Sequence, residues 1–355
     1  MDFLQNTWYL AAWSDRIKPG ELFPRMILNR PLIFLRREDG SVAAMDDRCP
    51  HRFAPLSMGH RDGDRVVCGY HGLEFDSLSG ACVRNPHNTG KIPSAARVRT
   101  YPVVERHSGV WIWMGERAAD PALIPDFSKL DDTTSTTVTR RDHMVMDVGY
   151  ELIVDNLLDC SHTTFLHDGI LGNRPMLDCP TTIEQQGNTL YVRRYSRNVP
   201  PPSMLDLLFR EDGAPVDTWT DFRWDAPSCL LLDVGSTPPG RPKDEGGGYF
   251  GTHILTPETT TTTHYHTAAT RWNLRPGSDT EEVRLKISDL RRFAFEEQDE
   301  PMLRAQQRNM ALMSKAELGK QVLLETDVGV VRWRRIMQQL IETEQAPAPA
   351  RAAAS

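Results

Sequence analysis

No stretch of this chain approaches the roughly 18 consecutive apolar residues that cross a bilayer, and positive charge is in short supply. Lysine and arginine number 41 against 48 aspartates and glutamates, a formal net charge of −7. Such a chain projects no basic field, so neither nucleic acid nor an anionic membrane is expected as a partner. The opening "MDFLQNTWYLAAWSD" lacks the basic n-region and long apolar h-region of a secretory leader. A cytoplasmic location is the expectation. Cysteines are few, six in 355 residues, which argues against a disulfide framework in a chain of this size and location. Cys82, Cys160, Cys179 and Cys229 are scattered and are expected to be buried as small hydrophobes. No internal repeat is present.

What is present is enough chain for one large domain or two ordinary ones, with 39% hydrophobic and 25% charged residues, the balance of a folded globular protein. Up to residue 125 the pattern is strand-like. "RMILN", "PLIFLRR", "SVAAMDD", "RVVCGY" and "GVWIWMG" are short apolar or alternating runs broken by Gly, Pro, Asn and Asp. Residues 1–125 therefore read as a small, mostly antiparallel all-β domain, with Trp111 and Trp113 as packing residues. "ADPALIPDFSKLDDTTSTT" reads as a connection. Residues 126–344 read as an α+β unit. Leu152, Ile153, Asn156, Leu157 and Cys160 recur at three- and four-residue spacing, which predicts a helix from Tyr150 toward Gly169. Strands are predicted at "TLYVRRYS", "CLLLDVG", "GYFGTHILT" and "TTHYHTAAT". "DTEEVRLKISDLRRFAFEEQDEPMLRAQQRNMAL" predicts a long helical segment in which Pro301 requires a first turn or a kink. Residues 345–355 are expected to form a disordered tail. The two units are expected to bury separate cores.

The segment "CPHRFAPLSMGHRDGDRVVCGYHG" carries C-x-H and C-x-x-H. A structural zinc would take two thiolates and two imidazoles, but zinc sites usually group the cysteines and then the histidines. Here each loop offers one of each. If Cys49 and Cys68 meet one metal and His51 and His71 another, the set is that of a Rieske [2Fe–2S] centre, in which two imidazoles replace two thiolates on one iron and raise its potential. The small residues around the ligands let backbone amides approach the sulfurs.

A ferredoxin would need only the first unit, so the second should hold a destination for the electron. Asp155, Asn156, Asp159, His162 and His167 form D-N-x-x-D-x-x-H-x-x-x-x-H. Two histidines five apart diverge on an ideal helix, so the helix must end or distort between them for both to face one metal. Two imidazoles and one carboxylate would leave positions open for O₂, as in a 2-His-1-carboxylate iron site; two helical histidines held by ordinary hydrogen bonds are the plain alternative. For the third ligand, Asp299 shares an apolar stripe with Phe295, Met302 and Leu303, whereas Glu300 lies with Glu296 and Arg304 on a solvated face. Asp299 is the choice and Glu297 the second. Asp159, one turn before His162, is placed to orient it or to join it to a Rieske histidine of a neighbouring subunit. The second arrangement implies a head-to-tail ring, closed most simply as a trimer. Asn156 is expected to hold water or shape the open side of the iron.

On "NTWYLAAW", "CPHRFAPLS", "CGYHGLEFD", "YPVVER", "VWIWMGE", "LIVDNLLDCSHTTFLH", "THILTPET" and Asp299, the chain resembles the oxygenase components of Rieske non-haem iron aromatic oxygenases over nearly its whole length. The vanillate O-demethylase and dicamba monooxygenase group is the most similar. The resemblance implies a Rieske domain before a helix-grip-like catalytic domain, with Cys49, His51, Cys68 and His71 on the cluster. It implies His162, His167 and Asp299 on the mononuclear Fe(II), and Asp159 as the bridge between subunits. It further implies a homotrimer and NADH electrons supplied by a separate flavin and iron–sulfur reductase or a ferredoxin. The reaction implied is monooxygenation of a small aromatic acid by O₂, foremost O-demethylation with formaldehyde release. Methyl or ring hydroxylation of another aromatic acid or an aryl sulfonate is the alternative.

His253 in "GTHILTPET" reads equally as a contact for a substrate carboxylate, phenol or sulfonate and as a hydrogen-bonded core histidine. His264 and His266 alternate about Tyr265 and so share a sheet face, expected to be solvent-exposed. "TPETTTTTH" reads as a strand and turn without chemical consequence. From a different class, an electron carrier or a zinc-bound regulatory protein with a vestigial second unit would need the first metal site alone.

Overall fold

The computed structural model describes residues 3–131 and 137–346. Alternation in the first third of the chain becomes eleven short strands. These are β1 (Trp8–Trp13), β2 (Phe23–Ile27), β3 (Arg30–Arg36), β4 (Val42–Asp46), β5 (His60–Asp62) and β6 (Arg65–Val67). β7 (Glu74–Asp76), β8 (Cys82–Arg84), β9 (Thr100–Tyr101), β10 (Val103–Arg106) and β11 (Gly109–Trp113) complete the set. They pair antiparallel in three sheets, β1-β11-β10, β2-β3-β4-β9 and β5-β6-β7-β8. The two-residue period of β3 divides its side chains between two cores. Leu32 and Phe34 face Ala11 and Ile112, while Ile33 and Leu35 face Cys49, Val66, Cys68 and Phe75.

The second unit runs β12 (Asp142–Met146), α1 (Tyr150–Leu158), α2 (Thr163–Leu166), β13 (Thr181–Gln186), β14 (Thr189–Val199), α3 (Ser203–Phe209), β15 (Val216–Asp225) and β16 (Cys229–Thr237). It continues with β17 (Gly247–Pro257), β18 (Thr263–Trp272), α4 (Glu281–Phe293), α5 (Glu300–Ala311), α6 (Lys315–Leu318) and α7 (Val328–Gln345). Its strands make one seven-stranded antiparallel sheet, β12-β18-β17-β16-β15-β14-β13. Helices cover one face. Leu152, Ile153 and Leu157 of α1 share a core with Trp224 and Leu230 of the sheet and Trp333 of α7. Asp155 ties α1 to α7, accepting from Trp333 Nε1 at 2.8 Å and from the Arg334 guanidinium.

The other sheet face meets the first unit, and here the expectation of separate cores fails. Trp8, Leu10, Trp13, Trp111 and Trp113 pack in one cluster with Cys229, Ile254 and Ala268 of the large sheet. A buried aromatic removes roughly 150–250 Å² from water, at about 25 cal/mol per Å², so four tryptophans make this seam a core and not a hinge. Backbone acceptors stitch it: Thr256 Oγ1 donates to Leu10 O at 2.7 Å and Trp13 Nε1 to Asp142 O at 2.9 Å.

The same seam corrects the reading of His264 and His266. They share a face, but it is buried, with exposures of 3% and 0%, because the first unit covers it where water was expected. His264 Nε2 contacts Met26 O at 3.1 Å, and Trp13 packs edge-on against His266. Two smaller expectations also change. Cys82, Cys160 and Cys229 are buried but Cys179 is only half-buried. Gln345 ends α7 and Ala346 follows it in a bend, while the rest of the expected tail lies outside the described residues.

Candidate metal centres

Two loops of the first unit repeat one backbone design. Cys49 N–H donates to Ala54 O and Phe53 N–H to Cys49 O, at 2.9 and 2.8 Å. Cys68 N–H donates to Leu73 O and Gly72 N–H to Cys68 O, both at 2.9 Å. The fifth residue of each loop is left-handed, Phe53 at φ 58° and Gly72 at φ 69°. That conformation suits glycine and strains phenylalanine. The loops bring Cys49 and Cys68 inward, both buried, and His51 and His71 outward, with ring centroids 4.4 Å apart. Burial pushes the Cys49 thiol up to about 11, against the His51 backbone N–H, and the neighbouring Cys68 adds to the rise. Two inward thiols and two outward imidazoles fit a two-metal cluster with one buried and one exposed end better than a single tetrahedral ion.

In the second unit α1 stops at Leu158, and Asp159 caps it with φ −92° and ψ 86°. The chain restarts as α2, bounded by His162 and His167, which is the break the five-residue spacing demands. The opposite wall is α4 to α5. Ile287, Arg291, Phe295, Asp299 and Leu303 are all buried, at a spacing of four where an α-helix repeats every 3.6 residues. A π-helical turn over Ala294–Asp299 takes more residues per turn and keeps the stripe facing inward. Pro301 in the first turn of α5 has no N–H and would crowd the Glu297 carbonyl in a straight α-helix. The widened turn removes both conflicts.

The result is one convergent set. His162, His167 and Asp299 offer ligand atoms all within 4.8 Å of one another. Asp299 Oδ1 lies 3.1 Å from His167 Nε2 and 3.7 Å from His162 Nε2. His167 Nδ1 donates to Gln298 Oε1 at 2.8 Å and His162 Nδ1 to the Asp159 carbonyl. With both protons held at Nδ1, the two Nε2 lone pairs and the carboxylate point at one place, which fits a divalent cation. Glu297 is exposed and points elsewhere. Asn156 Nδ2 lies 3.0 Å from Asp299 Oδ1 and 3.4 Å from His162 Nε2, beside the ligand atoms.

Asp159 differs from expectation in detail. Its backbone oxygen, not its carboxylate, orients His162. The carboxylate turns to Ser161, accepting from N–H at 2.9 Å and Oγ–H at 2.5 Å. The three side chains open on a recess lined by Met204, Leu205, Phe222, Leu232 and Phe295. His253 lines it too, 2% exposed, with Nδ1 2.5 Å from Tyr265 Oη and no described partner at Nε2. Sequence reasoning missed Gln298 and Arg291. Gln298 had a signal in its place next to Asp299, and Arg291 in its eight-residue offset from Asp299 on the same stripe.

The Rieske [2Fe–2S] domain model matches residues 7–102 and the vanillate O-demethylase oxygenase C-terminal domain model matches residues 146–343. The dicamba O-demethylase oxygenase component of Stenotrophomonas maltophilia is 36% identical over 352 residues, covering 98% of this chain and 100% of that one. The chloroacetanilide N-alkylformylase oxygenase component of Rhizorhabdus wittichii is 35% identical, covering 97% of each. The crystal structure of dicamba monooxygenase bound to 3,6-dichlorosalicylic acid superimposes with a TM-score of 0.88 at 34% identity, covering 98% of this chain and 100% of that one, and that enzyme has also been solved with non-haem iron. The alternatives of an electron carrier or a zinc regulator fall with the second centre. A Rieske [2Fe–2S] cluster and a mononuclear non-haem iron are the cofactors, and the chain belongs to the oxygenase components of the Rieske non-haem iron oxygenases, in the vanillate O-demethylase group.

Proposed function

We propose that the chain is the terminal component of a monooxygenase that O-demethylates a small methoxylated aromatic acid. The convergence of His162, His167 and Asp299 at the side of an apolar recess carries this reading. Cys49, His51, Cys68 and His71 hold the cluster, and His162, His167 and Asp299 hold the iron. When bound, the iron supplies O₂ activation. The residues of the chain do the rest: the apolar lining excludes water and orients a ring, His253 offers a polar contact, and Asn156 shapes the open side of the centre. One oxygen atom enters the substrate methyl group and the other leaves as water, with two electrons and two protons consumed. The resulting hemiacetal separates into a phenol and formaldehyde.

The electrons come from NADH through a flavin and iron–sulfur reductase or a ferredoxin. The domains divide as 1–125 and 126–344, followed by the tail. The assembly is a homotrimer in the cytoplasm; no described helix is long and apolar enough to cross a membrane. The test is reconstitution with NADH and a reductase on a panel of methoxylated and methylated benzoates and aryl sulfonates. Formaldehyde equal to NADH and O₂ consumed is the expected result. An oxygenated product without formaldehyde would replace demethylation by methyl or ring hydroxylation.

A further inference from the structure

Arg291 is 3% exposed and lines the same recess as the iron ligands. Among the described residues its guanidinium makes one hydrogen bond, from Nη2 to Thr267 Oγ1 at 2.7 Å, and its Nε has no acceptor. Its flanks are aromatic: Cζ lies 5.5 Å from the Tyr249 ring centroid and 5.7 Å from that of Phe295. The field of Asp142 reaches it, but that carboxylate lies 3.7 Å from Arg140, and no described carboxylate forms an ion pair with Arg291. A guanidinium keeps its charge at every accessible pH. Burying one without a counter-ion is among the costliest placements in a fold.

The second buried arginine of the recess shows what a structural role looks like. Arg194 donates to three carbonyls, Cys160 O at 2.9 Å, Met176 O at 3.0 Å and Cys179 O at 3.1 Å. The Nε of each has no described acceptor, so the difference lies at the Nη atoms, where Arg291 has Thr267 alone. A second orphan donor lies in its field. Burial, and then the charge of Arg291, hold His253 well below its ordinary pKa. A neutral His253 that accepts the Tyr265 hydroxyl at Nδ1 carries its proton on Nε2, which has no described partner.

We propose that Arg291, with His253 Nε2–H, receives the anionic group of the aromatic substrate and so selects aryl methyl ethers that carry a carboxylate or sulfonate. Arg291 and Asp299 stand eight residues apart on one buried stripe that lines the recess, so an aromatic ring that meets Arg291 with its anion presents its other end toward the iron ligands, and Phe295 between them supplies a flat wall. The proposal rests on the aromatic-substrate reading above.

The experiment is calorimetric titration of the metal-loaded protein with 2-, 3- and 4-methoxybenzoate and with the matched neutral methoxybenzamides. At least one acid should bind tenfold or more tighter than its amide. In Arg291→Gln that preference should vanish while amide affinity and iron content stay put, and Arg291→Lys should retain part of it. Equal affinity for every acid and its amide in the wild type overturns the proposal without any variant, as does an acid preference that survives Arg291→Gln. Formaldehyde release is read separately: a preference that depends on Arg291 in a protein that releases none leaves the anion site standing and removes demethylation.

Discussion

His167 Nε2 lies 3.1 Å from Asp299 Oδ1, across the gap between a broken helix and a π-helical turn. Because His167 Nδ1 is given to Gln298, the facing atoms have a lone pair each and repel unless a cation or a proton joins them. Burial disfavours a charged His167, but the Asp299 hydrogen bond and charge, with Gln298, outweigh it and raise its pKa. His162 goes the other way, lowered by burial despite Asp299. The facing atoms are thus placed to share a cation.

Replacing Asp299 by alanine removes the only carboxylate of the set. The mutant should fall from about three to about two irons per chain and keep its acid-labile sulfide and cluster absorbance, because Asp299 lies outside the core that joins the two units. His162→Ala should do the same. Glu297→Ala should change neither count, since Glu297 is exposed. Full iron in Asp299→Ala would move the third ligand elsewhere.

His71→Cys tests the cluster. Exchanging a neutral imidazole for a thiolate adds negative charge to the outward end, so a cluster that still assembles should have a reduction potential lower by hundreds of millivolts, on the order of the gap between Rieske and all-cysteine centres. EPR and a redox titration read this directly. An unchanged spectrum and potential would remove His71 from the cluster.

The candidate metal sets were legible because the chemistry they suggest fixes local spacing: C-x-H with C-x-x-H, and H-x-x-x-x-H with a helix break. Asp299 was legible as an acid on an apolar stripe. The burial of His264 and His266 was not, since alternation assigns residues to a sheet face without saying whether water or another unit covers it. β15, with Asp217, Thr218 and Thr220 among its residues, went unread for a related reason. Its polar side chains are satisfied by partners distant in sequence, as when Asp217 receives Asn198 N–H and Tyr195 Oη–H at 2.8 and 3.2 Å.

The buried histidines predict acid sensitivity. Burial, with Arg25 nearby, lowers His264 to about 4. The unfolded chain, near 6.5, therefore binds the proton first. Stability contributed by neutral His264 is complete above pH 6.5 and declines as the pH falls toward 4, by about 3 kcal/mol at 1.36 kcal/mol per unit. Melting temperatures taken from pH 7.5 to 4.5 should drop across this window, and less steeply in His264→Gln. Parallel curves for the two proteins would assign the acid loss to other groups.

Asp159 and the cluster tip carry the last prediction. His51 is exposed, and Phe53, Met58 and Tyr70 around it are 71%, 78% and 61% exposed, so the outward imidazoles are offered to something beyond their own unit. Asp159 is half-buried and uses Oδ1 on Ser161, while its Oδ2 takes none of the described hydrogen bonds. If a neighbouring subunit's cluster histidine donates to Oδ2, Asp159 links that histidine to the backbone that orients His162. Asp159→Asn should then keep both metals, since the amide preserves volume and one acceptor for Ser161. Electron transfer should nevertheless slow by about 10- to 100-fold, the usual cost of losing a group that orients metal ligands, as measured by single-turnover oxidation of the reduced cluster. The path should cross a subunit boundary. Chains carrying His71→Ala, co-assembled with chains carrying Asp299→Ala, should recover part of the activity that each lacks alone, because an intact cluster can then face an intact iron across one interface. No recovery in mixed oligomers of verified composition would mean that electrons move within a single chain, and the head-to-tail ring would have to be abandoned.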